Sequence, residues 1–276
     1  MSMETTLRQN LIATLGWTLV AAMCAALPAV AEESQAELAK KSLNPVADLI
    51  SLPFKRDYDR NIGPLEQGDK YQLTIQPVIP FSIGTDWNLI SRTLVPLIKQ
   101  QDVAAGAGTQ SGLGDITAQF YFSPKAPTAA GWIWGIGPQA LLRTGTDNLS
   151  SDKWGLGPTA VALKQEHGWT YGVLANHMWS VSGSNQKPDI SNTYLQPFLS
   201  FTTPHFTTYG INTESNYNWK TSQWSVPINL FVQQLLKIGG QPLTLQAGAR
   251  YWADTPDGIG PKGWGFRFQA AFLCPK

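Results

Sequence analysis

Between Leu49 and the C-terminus, apolar and polar residues take turns with a period of two, not the 3.6 of a helix. Tyr71, Leu73 and Ile75 alternate with Gln72, Thr74 and Gln76. Trp224, Ile228, Leu230 and Val232 oppose Ser225, Asn229 and Gln233, and Trp264, Phe266 and Phe268 oppose Gly265, Arg267 and Gln269. Successive side chains on a strand point to opposite faces, so each run carries one apolar and one polar stripe. Twelve such runs are found, over 49–58, 70–79, 87–96, 113–122, 131–143, 154–164, 168–180, 193–203, 206–218, 224–235, 242–252 and 262–273. Most are near ten residues, which suits a tilted strand crossing a bilayer and is about twice the ordinary soluble strand.

Alternation alone also fits a soluble sandwich with its apolar stripes turned inward. The connections favour a membrane barrel instead. Short links near 82–86, 165–168, 203–206 and 237–241 alternate with long polar ones over 97–112, 144–153, 182–192 and 253–261. That is the asymmetry of periplasmic turns and outer loops. Trp87, Trp132 and Trp169 open runs on the short-turn side, while Trp154, Trp179, Trp219, Trp224 and Trp264 lie on the long-loop side. Two rings of indoles at two depths match the headgroup girdles of a barrel. In hydrocarbon an open sheet edge leaves a row of unpaired N–H and C=O groups, so the first run must pair with the last. The expected fold is all-β: a closed antiparallel transmembrane β-barrel of about twelve strands.

Composition agrees. Charged residues are 14% of the chain, against about 25% in soluble domains, and there are 11 tryptophans. A net charge of +1 with no basic run points away from nucleic acid. The first residues read as a signal peptide over 1–31: Arg8, an apolar stretch from Leu11 to Leu27, then Ala29-Val30-Ala31 as cleavage site. Residues 32–48 lack the strand pattern. Ala36 to Ser42 could form a short helix before Asn44-Pro45, and the segment is either a periplasmic leader or a plug in the lumen. The barrel occupies 49–276. Prolines at 77, 138, 158, 197 and 227 fall inside runs and mark bulges or bends. Gly135-Ile136-Gly137-Pro138 is echoed by Gly155-Leu156-Gly157-Pro158.

Several stretches carry a resemblance. They include Asn44-Pro45-Val46-Ala47-Asp48-Leu49-Ile50-Ser51-Leu52-Pro53, Gln76-Pro77-Val78-Ile79-Pro80-Phe81, Ser111-Gly112-Leu113-Gly114-Asp115 and Pro261-Lys262-Gly263-Trp264-Gly265-Phe266-Arg267-Phe268. Together with Trp87-Asn88-Leu89-Ile90-Ser91-Arg92 and Phe122-Ser123-Pro124-Lys125, they resemble bacterial outer-membrane proteins of the phenol-degradation meta-pathway transporter family, often labelled neuromedin U. The resemblance implies a porin-like channel in the outer membrane of a Gram-negative-type cell, taking up small, hydrophobic or aromatic solutes. Its expected partners are outer-membrane lipid, the barrel-assembly machinery and a small-molecule solute. The chain departs from the usual barrel ending, an aromatic residue read by that machinery, because it closes on Phe272-Leu273-Cys274-Pro275-Lys276.

If apolar stripes face lipid, polar stripes face the lumen. The lumen-lining candidates are Arg92, Asp115, Gln119, Arg143, Glu214, Arg250, Arg267 and Gln269. Arg250 and Arg267 fall on neighbouring strands. Two readings stay open: a positive patch that attracts anionic solutes, or pairing with Asp and Glu in a packed interior. No catalytic constellation is visible: His167 and His205 fall in expected turns, and His177 lies on the lipid-facing stripe with no evident serine opposite. No spacing suggests a metal or cofactor site. The expectation is therefore a non-enzymatic barrel for passive diffusion; the alternative is a filled barrel with a structural or surface-interaction role.

Overall fold

The computed structural model describes residues 34–104 and 106–275. The signal peptide expected over 1–31 lies outside the described residues. One helix, α1 (Gln35–Ser42), precedes the strands; Ser34 caps it by accepting from Glu37 N at 3.2 Å.

Fifteen strand segments follow: β1 (Ile50–Ile62), β2 (Gly68–Ile75), β3 (Val78–Ile83), β4 (Trp87–Gln101), β5 (Thr109–Leu113), β6 (Ile116–Pro124), β7 (Trp132–Leu142) and β8 (Lys153–Glu166). Then come β9 (Trp169–Gly183), β10 (Ser191–Thr202), β11 (Thr207–Thr213), β12 (Ser215–Asn218), β13 (Gln223–Ile238), β14 (Gln241–Asp254) and β15 (Gly263–Cys274). Three pairs of segments are single staves with a local break: β2–β3 at Gln76-Pro77, β5–β6 at Gly114-Asp115, and β11–β12 at Glu214. The staves number twelve, as the alternation predicts. All pair antiparallel with their neighbours, and β1 pairs with β15 from Ile50↔Cys274 to Tyr58↔Phe266, which closes the barrel.

The breaks have local causes. Pro197 and Pro227 lie on the strands flanking Glu214, and neither can donate to the ladder there. The two Gly-Pro echoes meet face to face, Pro138 against Pro158. Each then interrupts the ladder on its other side: β6–β7 pairing lapses between Gln119↔Gln139 and Phe122↔Ile136, and β8–β9 pairing between Leu156↔Trp179 and Thr159↔Asn176. The glycines before them are required by close approach. A Cβ on Gly137 would sit 2.0 Å from Phe120 O, and one on Gly157 would sit 1.7 Å from His177 O.

One connection differs from expectation. In place of a loop over 97–112, β4 continues to Gln101 and Leu97–Gln101 pairs with Thr109–Leu113. The apolar stripe fades into Lys99, Gln100 and Gln101 there, so the side-chain pattern stops while the backbone ladder goes on.

Orientation settles barrel against sandwich. Leu230, Ile136 and Phe268 are 51%, 54% and 60% exposed, whereas Asn229, Gln233 and Arg267 are buried. All eight girdle tryptophans are exposed on the outer surface. Such an apolar exterior suits lipid and not water. No helix among the described residues is long and apolar enough to cross a membrane.

The interior is not polar throughout. Val78, Ile90, Tyr121, Val161, Leu163 and Leu174 form a buried apolar cluster inside the lumen, and Val46 packs into it. The segments Ala160-Val161-Ala162-Leu163 and Val173-Leu174-Ala175 are apolar on both faces, so alternation does not reveal that their inner side is oily.

Candidate functional site

The strand β1 supplies the most informative inward residues. Lys55, Asp57 and Asp59 share the inner face, and Arg56 and Tyr58 point the other way. Residues 55–60 read Lys-Arg-Asp-Tyr-Asp-Arg, with charge on both parities, so none of the three stands out by alternation. The signal that finds them is parity: Phe54 and Tyr58 fix the outward face.

Closure brings β15 beside β1 and places Arg267 directly across from Asp57. The guanidinium donates through Nε to Asp57 Oδ1 at 2.6 Å and through Nη2 to Oδ2 at 3.0 Å. It also donates to Glu214, three staves away, with contacts of 2.9 and 2.7 Å. This fork spans a chord of the lumen, a geometry that a planar guanidinium allows and an ammonium does not. Arg250 adds longer contacts to Asp57, Asp59 and Glu214, at 3.4, 3.5 and 3.7 Å, and stacks over Trp252, whose indole N–H donates to Asp59 at 2.8 Å. Lys55 completes the group 3.3 Å from Glu214.

Three cations (Lys55, Arg250, Arg267) thus face three carboxylates (Asp57, Asp59, Glu214), and the cluster is internally neutral. Of the two readings of Arg250 and Arg267, the structure realises pairing. The register expected to bring them together does so, but their charge is matched.

The other sequence candidates divide. Gln119 donates to Gln139 at 2.9 Å, Tyr121 donates to Gln119, and Gln139 in turn reaches Asn176 and the His177 carbonyl that faces the Pro158 gap. Gln269 and Arg92 line the lumen. Asp115 and Arg143 do not line its cavities. Asp115 sits at the β5–β6 break and accepts from Gly145 N, Ser150 Oγ, Ser151 N and Ser151 Oγ, which ties down the following loop. Arg143 is exposed and pairs with Asp152 at 3.1 Å. Both share inward parity, but Asp115 stands at the break of its stave and Arg143 just past the end of β7, and both hold the 144–152 loop.

Among the described residues, three cavities are lined by the inner face of the barrel. One of about 440 Å³ opens among Lys70, Gln72, Gln100, Trp252 and Ile259. A second, about 290 Å³, lies among Gln119, Gln139, Asn176, Asn192 and Tyr194. The third, about 200 Å³, lies against Lys41 to Leu49. Lys55 and Glu214 line all three, so their ion pair stands where the cavities meet. Below it, α1 and the segment to Leu49 are held by Leu38, Ala39, Ala47 and Leu49 against Leu235 and Leu273, and by Gln165 donating to Lys40 O at 2.8 Å.

On the lipid side one expectation is corrected. His177 does have a serine opposite: Ser191 Oγ lies 3.4 Å from Nε2, and Thr193 Oγ1 lies 2.7 Å from Nδ1. The β9–β10 register pairs Thr193 with His177 and Ser191 with Trp179, so all four share the outer face. The second nitrogen meets a hydroxyl that Trp219 Nε1 already donates to at 2.8 Å, in place of an orienting carboxylate.

The family model described as "Putative MetA-pathway of phenol degradation" matches residues 73–263. The chain belongs to that family. In this phenol-degradation family barrel the fold itself has solved parallels. An outer membrane channel from Pseudomonas putida F1 superposes with a TM-score of 0.63 at 13% identity, over 82% of this chain and 95% of that one. The NanC porin gives 0.48 at 9% identity, over 81% and 98%. Outer membrane phospholipase A from Escherichia coli gives 0.47 at 13%, over 83% and 90%. Among curated proteins there is no significant sequence match. The protein is an outer-membrane β-barrel whose outer face meets lipid.

Proposed function

We propose that this barrel lets small solutes cross the outer membrane by passive diffusion and carries out no chemistry on them. The observation that carries the reading is the set of three lumen cavities meeting at one ion pair, Lys55–Glu214. A barrel filled for structure alone has no use for a series of adjoining voids lined by convergent polar groups. The family's description, phenol degradation, together with the apolar residues Ile90, Leu174 and Val78, favours solutes with an apolar or aromatic body.

In this reading residues 1–31 are the signal peptide, 32–48 are a plug, and 49–276 are the wall. The plug seats Val46 in the apolar cluster and α1 at the periplasmic rim, and passage requires its displacement. The barrel-assembly machinery inserts the chain. Liposome swelling with sugars, amino acids and aromatic compounds tests the proposal. Selective swelling with small aromatics supports it. No flux of any solute, from barrels that show the electrophoretic shift of the folded form, would leave the filled structural barrel as the function.

A further inference from the structure

We infer that Arg92 is a binding site for the carboxylate of a passing solute, a small monocarboxylate with an apolar body. The inference rests on the passage reading and names the solute class.

Every other arginine of the lumen is matched. Arg250 and Arg267 face Asp57, Asp59 and Glu214, and that cluster is balanced without Arg92. Arg92 forms no ion pair among the described residues. Its polar partner is a neutral amide, Gln76 Oε1, 3.3 Å from Nη2, and its buried Nε has no partner at all. A guanidinium stays charged at any pH a cell meets. A permanent cation inside a membrane protein, without a counter-ion, is a functional site by default because its desolvation is otherwise uncompensated.

The surroundings specify the ligand. Arg92 lines both the cavity of about 200 Å³ and the one of about 290 Å³, so a molecule crossing between them passes it. In the larger cavity the remaining wall includes Leu94, Leu141, Leu174, Met178 and Ile190, which suit an apolar body about the size of one ring. Asn192 lines the same cavity, and its Oδ1 is a buried acceptor with no donor. A hydroxyl on the solute would satisfy it. Planar carboxylate recognition by a free guanidinium edge is the geometry arginine favours.

The test uses the full barrel in detergent and in liposomes, with benzoate, 4-hydroxybenzoate, benzyl alcohol and inorganic phosphate as probes. Titration calorimetry should show benzoate binding at one site per barrel, tighter for 4-hydroxybenzoate, with benzyl alcohol and phosphate much weaker. Arg92→Gln should weaken benzoate binding about 10- to 100-fold, the loss expected for a hydrogen bond to a charged group. Arg92→Lys should recover part of the affinity. If Arg92→Gln does not assemble, Arg92→Lys and the wild-type order of the four probes carry the test. Unchanged benzoate binding in a folded Arg92→Gln barrel overturns the site, as does equal binding of phosphate. Flux of benzyl alcohol without benzoate binding sinks the carboxylate site and keeps the passage. Benzoate binding without flux of any probe keeps the site and sinks the passage.

Discussion

Replacing Val46 by Asn should unseat the plug. Val46 is 4% exposed and surrounded by Val78, Ile90, Tyr121, Val161, Leu163 and Leu174. Losing the burial of a valine side chain costs about 2 kcal/mol. Placing an amide in that socket without partners costs roughly 2 kcal/mol more, at the low end of the range for an unsatisfied buried polar group. The sum, about 4 kcal/mol, shifts the seated-to-unseated ratio about 10³-fold. Asparagine is chosen over aspartate because Arg92 lines the cavity beside the plug and would offer a new anion a partner. Amide hydrogen exchange of residues 38–47 reads the shift directly, since local opening sets the exchange rate whatever the starting ratio. Exchange should quicken about 10³-fold in Val46→Asn while amides of β13 and β14 keep their protection, and conductance in planar bilayers should rise with it. Unchanged exchange at α1 would mean that Val46 does not hold the plug. Faster exchange with unchanged conductance would mean that the plug does not govern passage.

Arg267→Met leaves Asp57 and Glu214 facing each other without the fork, and breaking a buried pair of this kind should destabilise the barrel by about 3–5 kcal/mol in urea unfolding from lipid; a loss below 1 kcal/mol would mean that Arg250 and Lys55 suffice. Phe268→Arg, on the lipid face, should cost about 2–4 kcal/mol if the residue sits near the bilayer midplane, and almost nothing if that face is wet. In the 184–190 loop, the Lys153 ammonium donating at 2.7 Å holds the Asp189 carboxyl below the usual carboxylate range. A depressed folded-state value means the contact is present above the ordinary carboxylate pKa and lost as pH falls through the lowered one, so the loop should stay protease-resistant at mildly acidic pH; resistance lost near neutrality would contradict this. Ser191 should resist a fluorophosphonate probe, because the His177 nitrogen that would orient a triad meets the Thr193 hydroxyl; labelling abolished by Ser191→Ala would reverse the non-enzymatic reading.

The wall was legible because lipid and lumen impose opposite demands on alternate residues. The run Trp264 to Phe268 satisfies both at every position, Trp224 to Val232 does so at all but Pro227 and Phe231, and all twelve predicted runs fall on observed staves. The interior was legible only where the opposite stripe was apolar. Arg267 stood out between Phe266 and Phe268, and Arg250 between Ala249 and Tyr251. Lys55, Asp57 and Asp59 did not, because Arg56 and Arg60 on the opposite parity hid the alternation. Parity also cannot tell a lumen residue from a loop anchor: Asp115 and Arg143 share the inward parity but hold the 144–152 loop. The serine across from His177 depends on the β9–β10 register, which no local pattern encodes.

The cluster and the socket divide the work of closing a lumen that twelve staves leave wide. Hydrocarbon outside enforces closure of the wall but does nothing for the interior, where the inner stripes must either hold water or satisfy one another. On the β1, β14 and β15 side they satisfy one another by charge, and Asp57, Glu214 and Arg267 fix a chord across the bore. On the β6 to β9 side they do so by apolar packing, with Gly135 in the wall: a Cβ there would lie 3.1 Å from Val46 Cγ1. A charged chord is costly to break and an apolar contact with a short segment is cheaper, so the segment carrying Val46, not the ion cluster, is where the proposed passage requires movement. Arg92 belongs to neither set, facing Gln76 with its Nε unpartnered. A residue excluded from both ways of filling the bore is where a transient occupant finds the free energy to stop.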